Sequence, residues 1–205
     1  MYNVAMRELG DEPSPIRKLF AYGQARKQEI GDDKVFDYSI GNPSIPAPDA
    51  VSAKILELAQ GDPVSVHAYT QSAGDPAVNQ EIAEALNRRF GTNYTGKNLY
   101  LTAGASAALC ITLKALIVPG DEIITIPPFF TEYRTYIKVY GGKPVEVLAR
   151  EDDFQMDLPA IEAAINEHTK AIIINSPNNP VGVVYSRENL EGLAEILTRK
   201  SEEYG

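Results

Sequence analysis

From residue 98 onward the chain alternates short apolar runs with longer stretches whose apolar positions recur at helical spacing. Leu99–Thr102, Glu122–Ile126, Pro144–Leu148 and Lys170–Asn175 are four to six residues long and mostly β-branched or bounded by turn residues, so they predict strands. Between them, Ser106–Ile117, Thr131–Tyr140 and Leu158–Asn166 predict helices, and a last helix runs from a Ser186 cap toward Tyr204. Pro119-Gly120 and Gly141-Gly142 supply the stops, and Asp157 is a natural N-cap. Strands alternating with helices of this length predict right-handed βαβ units on a mostly parallel sheet, an α/β fold with helices on both faces.

The first half follows a different pattern. Residues 1–13 lack periodicity and are expected to form an arm. Ser14-Pro15 opens a helix that Gly31 stops, Val35–Tyr38 predicts a short strand, and the proline-rich Gly41–Pro48 predicts an extended loop. Asp49 is expected to cap a helix to about Gln60, and Asp75-Pro76 another to Phe90, with Gly91 just past its end. Four strands in the main sheet, residues 1–48 packed partly outside it, and no internal repeat complete the expected organisation.

Composition narrows the function classes. At 205 residues, 44% hydrophobic and 23% charged, the chain is ordinary globular material. Its net charge is −9 and no more than two Lys/Arg are adjacent, which argues against a nucleic-acid partner. No run approaches membrane-spanning length, and the N-terminus lacks an apolar signal region, so a cytoplasmic protein is expected. The single Cys110 suits a reducing compartment and reads as a small core residue.

Unusual residues gather where the strands end, which is where open α/β sheets bind ligands. Thr102-Ala-Gly-Ala-Ser-Ala-Ala108 joins strand to helix with small residues only. The first amides of a helix have no internal partner and its dipole favours an anion there, so this loop suits a phosphate; tight helix–sheet packing explains the small residues equally well. Ile126-Pro-Pro-Phe-Phe-Thr-Glu-Tyr133 puts two aromatic rings in a stiff loop, one expected to fill core and the other free to stack on a planar ligand. Asn175-Ser-Pro-Asn-Asn-Pro-Val-Gly182 offers amide donors in a rigid turn whose X–Pro bonds make a cis peptide accessible. His168 is expected on the surface and His67 near a site rim.

Taken together, these segments resemble the class I/II aminotransferases, fold-type I pyridoxal-phosphate enzymes related to aspartate aminotransferase. Asn175–Gly182 is similar to the family's N-x-P-N-N-P-T-G signature, with Val181 in place of threonine. Ile40-Gly41-Asn-Pro43 is similar to its N-terminal glycine loop, and Tyr69 with Gly74 to its Y-x-x-x-x-G segment. Thr102–Ser106 resembles its phosphate loop and Pro128-Phe-Phe130 its aromatic turn. The resemblance implies a three-layer α/β/α large domain over residues 49–205, with residues 1–48 forming an arm and part of a small domain. It implies pyridoxal 5′-phosphate as cofactor, amino-acid and 2-oxo-acid substrates, and a homodimer with shared sites. It also assigns roles. Asn179 faces the cofactor's phenolate oxygen, Phe130 stacks on its ring, Ala105 and Ser106 bind its phosphate, Tyr69 reaches the phosphate of the neighbouring subunit, and Gly41 binds the substrate carboxylate.

In that family the Schiff-base lysine, the aspartate on the pyridine nitrogen and the anion-binding arginines follow the asparagine-proline turn. None of the ten lysines here has the setting of that lysine, so the chain resembles the N-terminal half of such an enzyme, expected to be inactive by itself and to leave an open sheet edge. The same motifs leave open a carbon–sulfur β-lyase, or a module that senses pyridoxal phosphate or amino acids without catalysis.

Overall fold

Ile123 and Ile124 are both fully buried and point in opposite directions, as neighbours on a strand must. That requirement sets the architecture of one of the two compact units into which the chain divides. The structure, a computed structural model, describes residues 2–11, 15–41 and 43–205. One unit combines residues up to Asp11 with Ala105–Gly205, and the other runs from residue 12 to Gly104.

In the first unit the elements are α1 (Val4–Asp11), α6 (Ala105–Leu116), β1 (Glu122–Thr125), α7 (Glu132–Val139), β2 (Lys143–Glu146), α8 (Leu158–Ala164), β3 (Thr169–Ile173) and α9 (Arg187–Tyr204). The second unit contains α2 (Pro15–Ile30), α3 (Asp49–Ala59), α4 (Pro63–Val66) and α5 (Pro76–Phe90), with 3-10 turns at Asp32–Lys34 and Gly96–Asn98.

The sheet has the order β2-β1-β3, parallel throughout, with Ile124 paired to Val145 on one side and Ile172 on the other. Ile123 packs with Leu113 and Ile117 at the end of α6 and with Ile137 of α7. Ile124 packs with Ile161 of α8, Leu193 and Ile196 of α9, and Met156. Helices therefore cover both faces, giving the three α/β/α layers expected, and each fully buried Ile or Leu contributes about 1.5–3 kcal/mol. Local signals set the ends of the helices. Asp157 accepts from the Ala160 amide, Ser186 from the Asn189 amide, and Asp75 from the amides of Ala77 and Val78. Gly91 closes α5 in the left-handed conformation at φ 66°.

Within the first residues, where no periodicity is evident, Asn3 Oδ1 accepts the Met6 amide at 3.3 Å and starts α1, and an Arg7–Asp11 ion pair one turn apart reinforces it. Three expectations are corrected. Leu99–Thr102 is not a strand. Leu99 is extended, but Leu101 finds only the Ala73 carbonyl of a loop at 3.0 Å, so the sheet has three strands among the described residues and not four. Val35–Tyr38 joins no ladder either, because Asp37 turns the chain by accepting from the amide and hydroxyl of Ser39. Asp49 lies inside α3 instead of capping it; Pro48 is the N-cap and contributes only its carbonyl, which accepts from Val51. Short α4, capped by Asp62, was not foreseen. The expected Ser14 cap and the Asn42 position of the 41–48 loop lie outside the described residues.

Among the described residues no helix is long and apolar enough to cross a membrane.

Candidate active site

Helix α7 connects two of the three loops that sequence reasoning singled out. Its first turn carries Tyr133, a buried ring that stacks on Phe129 with centroids 5.8 Å apart and meets Phe130 edge-on at 5.7 Å. One turn further, Tyr136 donates its phenol hydrogen to Ser106 Oγ at 3.0 Å. Residues three apart on a helix share a face, so one side of α7 serves both the aromatic turn and the start of α6. Neither tyrosine was assigned a part from sequence, although their spacing beside Phe129 and Phe130 was there to be noticed.

The aromatic turn after β1 divides as expected. Phe129 is buried, with the Arg134 guanidinium 5.0 Å above its ring, while Phe130 stays half-exposed. Arg134 is itself fixed by Glu146 of β2 through two hydrogen bonds of 2.5 and 2.8 Å. Each charge holds the other ionised: Glu146 pushes the guanidinium pKa up, and Arg134 holds the carboxyl below its usual range. Phe129 and the Arg134–Glu146 pair thus form a fixed base next to Phe130, whose ring meets Tyr133 edge-on.

The turn after β3 also divides its asparagines. Asn178 is buried and builds the turn, its amide donating to the Val183 carbonyl and its carbonyl and Oδ1 accepting from Gly182 and Val181. Asn179 is exposed; its backbone amide donates to Asn175 Oδ1 at 2.8 Å, and its carboxamide makes no hydrogen bond among the described residues. The Ser176-Pro177 and Asn179-Pro180 bonds are cis, as is Pro127-Pro128 in the aromatic turn. Buried Tyr185, whose amide donates to Ser176 Oγ, sits beside Asn178, and burial pushes its phenol pKa up; the same cause raises Tyr133. Both therefore remain neutral at ordinary pH.

At the start of α6, Ala105 and Ser106 are exposed, leaving the helix's first amides and the serine hydroxyl accessible. Gly104, just before them, has φ 86° and open space where a Cβ would stand. Ala105, Ser106, Phe130 and Asn179 thus belong to one unit, at the carboxyl side of its sheet or at the start of a covering helix. Gly41 and Tyr69 belong to the other unit; both are exposed, Tyr69 fully, and so is His67. His168 is on the surface beside the amino end of β1, where its carbonyl accepts from Glu122.

The donor set fits a phosphorylated planar cofactor. It offers small residues before exposed helix amides, a hydroxyl, a supported aromatic face and an uncommitted carboxamide. Among the described residues no group of His, Cys, Asp or Glu is placed to hold a metal ion. The ten lysines all lie on helices, on 3-10 turns or at the amino ends of strands; Lys114 rests over the Tyr140 ring and Lys170 is the second residue of β3.

Comparison with known proteins places the chain. The family profile described as "Aminotransferase class I and II" matches residues 33–201. The "Probable aspartate/prephenate aminotransferase" of Aquifex aeolicus (strain VF5) is 34% identical over 191 residues, which is 92% of this chain and 47% of that protein. The crystal structure of an amino transferase from Eubacterium rectale superposes with a TM-score of 0.95 at 46% identity, over 100% of this chain and 52% of the other. Aspartate aminotransferase from Thermus thermophilus, solved with maleate, gives 0.84 at 32% identity, over 98% and 51%. The chain thus spans about half the length of the relatives it matches. It belongs to the class I and II aminotransferases, pyridoxal-phosphate-dependent enzymes of fold type I.

Proposed function

We propose that these 205 residues form the cofactor-positioning half of an enzyme that transfers an amino group between an amino acid and a 2-oxo acid. The observation that carries this reading is the common support by α7 of the aromatic turn and the start of α6, through Tyr133 and Tyr136. The bound cofactor supplies an electron sink for the bonds at the substrate's α-carbon. The chain's own residues bind and orient. The Ala105 amide and Ser106 hydroxyl hold the phosphate, the Phe130 ring covers one face, and the Asn179 carboxamide donates to the phenolate oxygen, favouring its anionic form.

Gly41 lends its backbone N–H to the substrate carboxylate, and Tyr69 reaches the phosphate site of a second copy in a cytoplasmic homodimer. Full exposure of Tyr69, together with exposed Tyr38, Ile45 and Val64 in the same unit, supports an apolar surface that a partner covers. In this reading residues 1–48 belong to the arm and small domain and residues 49–205 to the cofactor-binding domain. No lysine occupies a strand's carboxyl end, so these residues by themselves bind the cofactor weakly and turn over no substrate.

Equilibrium dialysis with pyridoxal phosphate tests the assignment, expecting saturable binding that Phe130→Ala and Asn179→Ala each weaken, without transaminase turnover. Borohydride trapping of a stoichiometric adduct on one lysine would overturn the inactive-half reading. Binding unaffected by both substitutions together would overturn the site.

A further inference from the structure

Tyr136 touches no ligand in the roles assigned above, yet its phenol makes the one side-chain hydrogen bond of Ser106 among the described residues. A serine hydroxyl has one hydrogen to give and two lone pairs to receive with. Exposed and unpartnered, it rotates among several orientations and spends much of its time donating to water. Here the Tyr136 hydroxyl stands 3.0 Å from Ser106 Oγ, and the phenol, the more acidic of the two hydroxyls, donates and occupies a lone pair. The serine hydrogen is then left to point elsewhere, and the donated bond polarises it into a better donor.

The phenol is held firmly. Tyr136 packs against the cluster of Leu113, Ile117, Ile123 and Ile137, and Ile137, the next residue of α7, is fully buried. Ser106 remains exposed, so a ligand can reach the oriented hydroxyl.

We propose that Tyr136 is a positioning residue for the cofactor's phosphate, acting through the Ser106 hydroxyl. An arriving phosphate meets a hydroxyl that is already aimed, beside helix amides that are fixed by the backbone. The chain of donors runs from Tyr136 to Ser106 to a phosphate oxygen, and no proton changes owner. Apolar packing of the tyrosine ring is a separate contribution, one that phenylalanine at the same place preserves. The inference rests on the assignment of Ser106 to the phosphate.

The test uses pyridoxamine 5′-phosphate, which lacks the aldehyde and cannot condense with surface lysines, against pyridoxamine, which lacks the phosphate. Both are titrated into the 205-residue chain and its Tyr136→Phe, Ser106→Ala and doubly substituted forms, by equilibrium dialysis and, for the phosphorylated probe, by phosphorus-31 NMR. Tyr136→Phe is expected to weaken pyridoxamine phosphate about tenfold, Ser106→Ala by a similar factor, and the double variant no further, because both remove one chain of donors. Pyridoxamine binding stays constant across the set, and the phosphorus signal of the bound ligand shifts in Tyr136→Phe. If Ser106→Ala weakens the phosphorylated probe but Tyr136→Phe does not, the positioning role is wrong while the phosphate site stands. Should Ser106→Ala bind like the parent, the phosphate assignment itself fails and takes this inference with it. Equal losses for both probes in Tyr136→Phe would mark a packing role and overturn the proposal.

Discussion

Asn189 pairs with Met156 as one strand pairs with another. The Asn189 carboxamide accepts the Met156 amide at 3.1 Å and donates to the Met156 carbonyl at 3.0 Å, with both residues buried. A single side chain thereby satisfies a backbone segment that has no ladder of its own and fastens α9 to the approach of α8. Asn189→Ala leaves a buried N–H and a buried C=O without partners, which costs about 2–4 kcal/mol. Urea unfolding midpoints should show that loss, whereas a change below about 0.5 kcal/mol, the usual range of a surface substitution, would mean water replaces the carboxamide.

Acid sensitivity should centre on Glu122 at the amino end of β1. Hydrogen bonds from Lys143 at 2.6 Å and Asn166 at 2.9 Å hold its carboxyl pKa below the usual glutamate range, with His168 adding a smaller favourable charge. A carboxyl whose folded pKa lies below its unfolded value stabilises the fold above the unfolded pKa of about 4.3 and loses that contribution as pH falls through the folded one. Glu122→Gln should therefore be less stable than the parent at pH 7, and the difference should shrink toward pH 3. Parallel stability curves across that range would exclude the effect.

Two glycines at positive φ separate backbone strain from steric contact. Gly91 caps α5 at φ 66° with nothing within 4 Å of a Cβ position, so Gly91→Ala should cost about 1–2 kcal/mol from conformation alone. Gly74 has φ 104°, and a Cβ there would stand 2.9 Å from Asn79 Oδ1 and from two carbons of Leu101. Gly74→Ala should cost at least about 3 kcal/mol, since strain and overpacking combine. Denaturation of the two variants side by side checks the order, and a Gly74→Ala protein as stable as Gly91→Ala would contradict the packing at the 69–74 segment.

How much of this was legible depended on whether the cause was local. Asp75, Asp157, Ser186 and Gly91 act within a turn of themselves, and their helices start or stop where the sequence says. Strands depend on a neighbour, which is why Glu122–Thr125, flanked by two partners, was found and Leu99–Thr102, with none, was mistaken for a ladder strand. The loops carrying Ser106, Phe130 and Asn179 were visible because their residue types are unusual in sequence. Tyr133, Tyr136 and Tyr185 were not, since an ordinary tyrosine becomes part of a site only through contacts with residues such as Ser106, 30 positions away.

Asn178 and Asn179 are adjacent and chemically identical, yet their environments predict opposite behaviour. Asn178 is buried and its Oδ1 accepts from the Val181 amide to close the turn, so Asn178→Ala should lower stability by about 1–2 kcal/mol. The exposed Asn179 side chain closes nothing, and Asn179→Ala should shift stability by no more than about 0.5 kcal/mol. If its carboxamide is reserved for the cofactor's ring oxygen, the same substitution should weaken pyridoxamine phosphate binding about tenfold. Thermal melts and dialysis on both variants decide the matter. A stable Asn179→Ala protein with parental affinity would remove Asn179 from the site, and a destabilised one would make it a structural residue like its neighbour. The predicted combination, normal melting with weakened binding, arises only when an exposed amide is kept free for a ligand.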